Sequence, residues 1–145
     1  MHRGWLALLV ASVLLGGCGF SPFGCTAAGC ETGVLFTLDR NLVTGTVYRV
    51  VACVDDRCAE GALEVGPDSD GTDATLSLVV GTDVADSIFY RLDERRPSGE
   101  HHISLTVQAA DGELVVDWEG TAQFELNQPN GPWCEPTCWL AEVTV

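Results

Sequence analysis

The sequence predicts an all-β chain folded as a two-sheet antiparallel β-sandwich behind an N-terminal signal segment. Three observations carry that expectation. From Gly33 onward the apolar residues recur at every second position, the runs are short and divided by Gly, Pro, Asn and Asp, and no later stretch has a helical period. With 145 residues the chain has the length of one domain. Eight or nine strands, spaced about 8 to 15 residues apart, then require two packed sheets.

Val34-Phe36-Leu38 opens the series. Thr46 to Val54 and Arg57 to Val65 flank Asp55-Asp56, and a turn at those two residues sets Cys53 against Cys58 and Tyr48 against Leu63. Ala74, Leu76, Leu78 and Val80 form the next alternating run, followed by Ile88-Tyr90-Leu92. Ile103, Leu105, Val107 and Ala109 then lead into Ala110-Asp111-Gly112-Glu113, where Asp-Gly signals a type I′ hairpin. In that register Ala109 opposes Leu114, Val107 opposes Val116 and Leu105 opposes Trp118, so each apolar residue meets another. Gly120, inside the pattern that continues through Ala122-Phe124-Leu126, marks a bulge or a change of sheet. Trp139-Ala141-Val143-Val145 closes the series and places Trp139 in the core.

The amino terminus reads differently. Met1-His2-Arg3 precedes an uncharged apolar run of 11 residues, Trp5 to Leu15, too short to span a bilayer and typical of an export signal. Leu15-Gly16-Gly17-Cys18 resembles the lipobox of bacterial lipoproteins, in which the cysteine receives a diacylglyceryl group and becomes the first residue. The resemblance implies lipidation at Cys18. With the alternating body from Gly33 onward, the expected division is a signal peptide at 1–17, a lipidated tether at 18–32 and a disulfide-bonded sandwich at 33–145. Two acyl chains, at about 0.8 kcal/mol per buried methylene, anchor stably where one does not. A plain secreted protein cut near Cys18 is the weaker alternative.

Cys25, Cys30, Cys53, Cys58, Cys134 and Cys138 remain, an even number that reads as disulfides in an exported chain. None of their spacings is the C-x-x-C of redox sites or zinc knuckles. The hairpin register pairs Cys53 with Cys58 as a surface clip, on the face shared with Arg49 and Glu60. Links from the Cys25/Cys30 region to the Cys134/Cys138 region are favoured if the first and last strands start side by side. Two small local loops are the alternative, since six cysteines permit 15 pairings.

Seven Arg and no Lys stand against 21 acidic residues, for a formal charge of -14, which excludes an electrostatic grip on nucleic acid or on anionic lipid head groups. Without residues 1–17 the charge becomes -15, which favours a body held off the bilayer on its tether. Tyr48 to Val54, the Asp111-Gly112 hairpin and Pro132-Trp133-Cys134-Glu135-Pro136-Thr137-Cys138-Trp139 resemble the immunoglobulin-like or prealbumin-like sandwich domains of small exported bacterial lipoproteins. That resemblance implies a fold and a location, and it transfers no catalytic residue.

Four features bear on chemistry. Asp68, Asp70 and Asp73 surround Gly71 in an acidic turn; they are the ligands should calcium bind, although the loop lacks the distal bidentate Glu of an EF-hand and a solvated turn is the stronger expectation. His101 and His102 point to opposite faces of a strand, His101 with Ile103 and His102 with Ser104, and so cannot readily share one metal. Trp133, in the turn beside the last cysteine pair, is a candidate partner contact. Arg91, Arg95 and Arg96 alternate with acids in a mixed, solvated loop. The expected protein is therefore a non-catalytic binding or scaffolding module on the extracytoplasmic face of a bacterial membrane, without cofactor, facing an envelope protein or glycan. The alternative is a calcium-dependent binding protein or a small envelope hydrolase using loop residues.

Overall fold

The computed structural model describes residues 29–66, 75–80, 84–93, 97, 99–131 and 134–145. The strands, in chain order, are β1 (Gly33–Leu42), β2 (Val47–Val54), β3 (Arg57–Glu64), β4 (Leu76–Val80) and β5 (Ala85–Arg91), then β6 (Glu100–Ala109), β7 (Leu114–Gln123), β8 (Glu125–Asn127) and β9 (Cys138–Thr144). They form a five-stranded sheet in the order β4-β5-β1-β9-β8 and a four-stranded sheet in the order β3-β2-β6-β7. The two sheets pack as a sandwich, and no helix occurs among the described residues.

Alternation builds the core. Val34 and Phe36 of β1, Val50, Ala52 and Val54 of β2, Ile88 of β5 and Ile103, Leu105 and Val107 of β6 all have 0% exposure between the sheets. Intervening residues such as Arg49, Glu60, His102 and Asp117 point outward. Tyr90, buried on β5, donates from Oη to the Arg57 carbonyl at 3.3 Å and so ties one sheet to the start of β3 in the other. Burial pushes the Tyr90 phenol up from its ordinary value.

One strand pairing departs from the antiparallel expectation. β1 and β9 run parallel, with Gly33 against Leu140 and Phe36 against Val143, and Asp39 and Val145 extend the ladder by exchanging bonds around Thr37. The first and last strands therefore start side by side, and Cys30, just ahead of β1, is bonded to Cys138, the first residue of β9, with Cα atoms 5.8 Å apart. Thr32 Oγ1 accepts from the Trp139 N–H at 3.1 Å and the Thr32 carbonyl accepts from Leu92 at 2.9 Å. Residues 30–32, read from sequence as the end of the tether, are thus fastened to the sandwich.

The β6–β7 hairpin also differs from its prediction. Asp111 keeps a negative φ and only Gly112 is left-handed, at 91°, which excludes type I′. Gly112 N–H donates to the Ala109 carbonyl and Ala109 N–H to Glu113, both at 2.9 Å, closing a three-residue loop. Gln108 consequently faces Leu114 in place of the predicted Ala109–Leu114 pair. A bulge at Val115 absorbs the extra residue, and Val107 still meets Val116 and Leu105 still meets Trp118. The buried pairs dictate register, and the loop adjusts to them.

Gly120 is neither a bulge nor the sheet change. It pairs with Ile103 inside β7, and a Cβ there would stand 2.6 Å from the Trp118 ring, which occupies that space. The chain changes sheet four residues later, at Phe124 between β7 and β8, so Leu126 lies on the edge strand β8 and is 49% exposed. Trp139 is half-buried, packed against the core rather than within it.

Candidate functional site

A connected group of polar side chains lies where the β2–β3 turn meets the start of β6. Val54 and Arg57 are paired, leaving Asp55 and Asp56 as a two-residue turn, and Asp55 adopts φ 54°, a left-handed conformation uncommon outside glycine. β6 supplies what holds it there. Asp55 Oδ2 is 2.7 Å from His101 Nδ1, Asp55 Oδ1 accepts from the His102 backbone N–H at 3.0 Å, and Asp55 N–H donates to the His102 carbonyl at 2.7 Å. The His101 bond first, and the His102 bond next, hold the Asp55 carboxyl below its ordinary value.

The two histidines diverge, as strand alternation requires. The His101 side chain is 15% exposed and meets the Phe124 ring edge to face, with centroids 5.3 Å apart. His102 projects from the outer face, where its Nε2 is 2.9 Å from Glu119 Oε1. A carboxylate orienting an imidazole through Nδ1 is two members of a hydrolytic triad. Ser104, the next hydroxyl along β6, projects from the opposite face to His101, so this strand brings no nucleophile to it. The chemistry visible in the pair is the clamping of a strained turn.

On the same outer face, Cys53 and Cys58 are directly opposed and disulfide-bonded, with Cα atoms 4.1 Å apart. Arg49 and Glu60 share that face and pair at 2.7 Å, which raises the guanidinium pKa and lowers that of the carboxyl. Cys134 is disulfide-bonded as well. It lies 3% exposed in the turn before β9, where Asn130, also 3% exposed, donates to the Glu135 carbonyl at 3.0 Å.

A third feature is a shallow, mainly apolar depression of about 690 Å³ on the outer face of the five-stranded sheet, lined by Leu35, Phe89 and Leu140 beside Cys30, Glu31 and Asn127. Phe89 lies across Gly33, where a Cβ would overlap the ring. Glu31, which lines the depression, pairs with Arg91 at 3.0 Å.

Several of the residues singled out in the sequence, namely Cys18, Cys25, Asp68, Asp70, Asp73, Arg95, Arg96 and Trp133, lie outside the described residues. The described residues contain no group of three His, Cys, Asp or Glu able to hold a metal ion. Sequence reasoning missed the role of Asp55, which it read only as a turn residue. Its partners lie 46 and 47 positions away, and no local pattern announces a contact at that range. No protein family, no curated protein and no solved structure matches the chain.

Proposed function

We propose that this chain is an exported lipoprotein, anchored through Cys18 to the extracytoplasmic face of a bacterial membrane, whose sandwich is a non-catalytic binding or scaffolding module. The observation that carries the reading is the state of the cysteines: Cys30, Cys53, Cys58, Cys134 and Cys138 are all disulfide-bonded. Such bonds persist on the oxidising side of a membrane and are reduced in the cytosol. The Leu15-Gly16-Gly17-Cys18 sequence supplies the route to that side and the anchor.

Two further features support a binding role. The Cys30–Cys138 link fastens the end of the tether to the start of β9, so the sandwich is held by its own sheet where the tether joins it. The depression at Leu35, Phe89 and Leu140 is broad and open, which suits contact with a protein or glycan surface better than enclosure of a small substrate.

The test is metabolic labelling of the full chain with radioactive palmitate, combined with intact-mass measurement. Wild type is expected to carry label on a chain that starts at Cys18, with no thiol available to alkylation in the body. Cys18→Ser is expected to lose the label and leave the membrane fraction. An uncleaved, unlabelled chain with reduced sulfhydryls overturns the proposal.

A further inference from the structure

We propose that Cys53–Cys58 is a surface thiol–disulfide exchange site that accepts dithiol reductants, small or proteinaceous, and cycles while the sandwich stays folded. This goes beyond the binding role and does not depend on the lipid anchor.

Access distinguishes this bond from its counterpart. Cys58 is exposed on the edge strand β3 and Cys53 is half-buried beside it. In the Cys30–Cys138 bond the more accessible sulfur is that of Cys30, which is half-buried, and Cys138 is only 2% exposed, so neither is as open to a thiolate as the exposed Cys58. The surroundings suit exchange. Across the outer face Cys58, Cys53, Ser104 and Glu119 stand in register on β3, β2, β6 and β7. His102 lies one outward position before Ser104 on β6, paired with Glu119. The exposed sulfur thus sits among polar side chains on the outer face rather than in the apolar core, where burial would suppress thiolate chemistry.

The fold does not depend on the bond. β2 and β3 remain joined by eight paired positions, Leu63 of β3 stays buried, and the turn is held by Asp55 through His101 and His102. Tyr90 also bonds to the Arg57 carbonyl next to Cys58. Reduction therefore leaves two thiols facing each other on an intact ladder, positioned to close again.

A thiolate of the reductant attacks Cys58 Sγ, the sulfur–sulfur bond breaks, and the electron pair leaves on Cys53 Sγ, which takes a proton from water. The second thiol of the reductant then attacks its own sulfur in the mixed disulfide and releases Cys58, which is protonated in turn. The cystine gains two electrons and two protons, and the dithiol becomes a disulfide.

The oxidised full chain is treated with dithiothreitol under native conditions, quenched at intervals with iodoacetamide and mapped by peptide mass spectrometry, with near-ultraviolet circular dichroism followed in parallel. Cys53 and Cys58 should be alkylated at least about tenfold sooner than Cys30, Cys134 and Cys138, with the dichroism retained. Equal rates, or loss of the dichroism in step with Cys53–Cys58, overturn the proposal. Single variants test the direction of attack: Cys58 in Cys53→Ser should react with Ellman's reagent about tenfold faster than Cys53 in Cys58→Ser, and the reverse order overturns Cys58 as the attacked sulfur.

Discussion

Asp55 combines a backbone conformation that costs energy with three hydrogen bonds that offset it, and this balance predicts how it responds to substitution and to pH. Asp55→Ala keeps the φ of 54° and loses both side-chain bonds, so it should lower the melting temperature more than Asp55→Asn, which tolerates the left-handed region and retains an acceptor. The carboxyl titrates lower in the folded chain than in the unfolded one. Its contribution is therefore complete above the unfolded carboxylate value of about 4 and is lost as pH falls through the folded value. Melting curves of wild type and Asp55→Asn should show a gap at neutral pH that closes in acid. A gap that does not change with pH would mean that the charge of Asp55 contributes nothing.

Glycine governs two of the strands. At Gly33 a Cβ would overlap the Tyr90 carbonyl oxygen and the Phe89 ring, and a backbone carbonyl cannot move without disturbing the β1–β5 ladder. At Gly120 the obstruction is the Trp118 ring alone, which can turn. Both Gly→Ala changes should destabilise, Gly120→Ala by about 1–3 kcal/mol and Gly33→Ala by more, as read by denaturant titration. Gly120→Ala should also shift the tryptophan emission to the red as Trp118 swings toward water. At this scale local chemistry was legible: the Asp55-Asp56 turn places Cys53 on Cys58 and Tyr48 on Leu63, as their spacing predicts, because a two-residue turn leaves no freedom of register. The β6–β7 turn was legible only in part, since its loop length and the bulge at Val115 compensate each other.

Across the whole molecule the two mapped disulfides do unequal work. Cys30–Cys138 joins residues 108 apart and ties the start of β1 to the start of β9, whereas Cys53–Cys58 joins residues 5 apart within one hairpin. In the chain-entropy account, replacing both cysteines of the long link by Ser costs about 5 kcal/mol and replacing both of the short link about 2 kcal/mol. Calorimetry on the two double variants should therefore give a markedly larger fall in melting temperature for Cys30→Ser with Cys138→Ser, and equal falls would refute the ranking. The same ranking underlies the exchange site: a bond that contributes little to folding can open without unfolding the chain.

The order of residues by itself determined the all-β class, the identity of the strands and most of the inward-facing set, because a period of two and a tight turn are properties of neighbours in the chain. It also determined that Cys53 meets Cys58. Tertiary structure alone decided that β1 and β9 run parallel, that within the long-range link favoured by the sequence it is Cys30 that bonds Cys138, that the chain changes sheet at Phe124, and that Asp55 is held by His101 and His102. Each of these joins residues far apart in sequence or depends on how one sheet covers the other. Such contacts form only when burial of both sheets outweighs the entropy of closing long loops, and that balance belongs to the folded whole rather than to any local stretch.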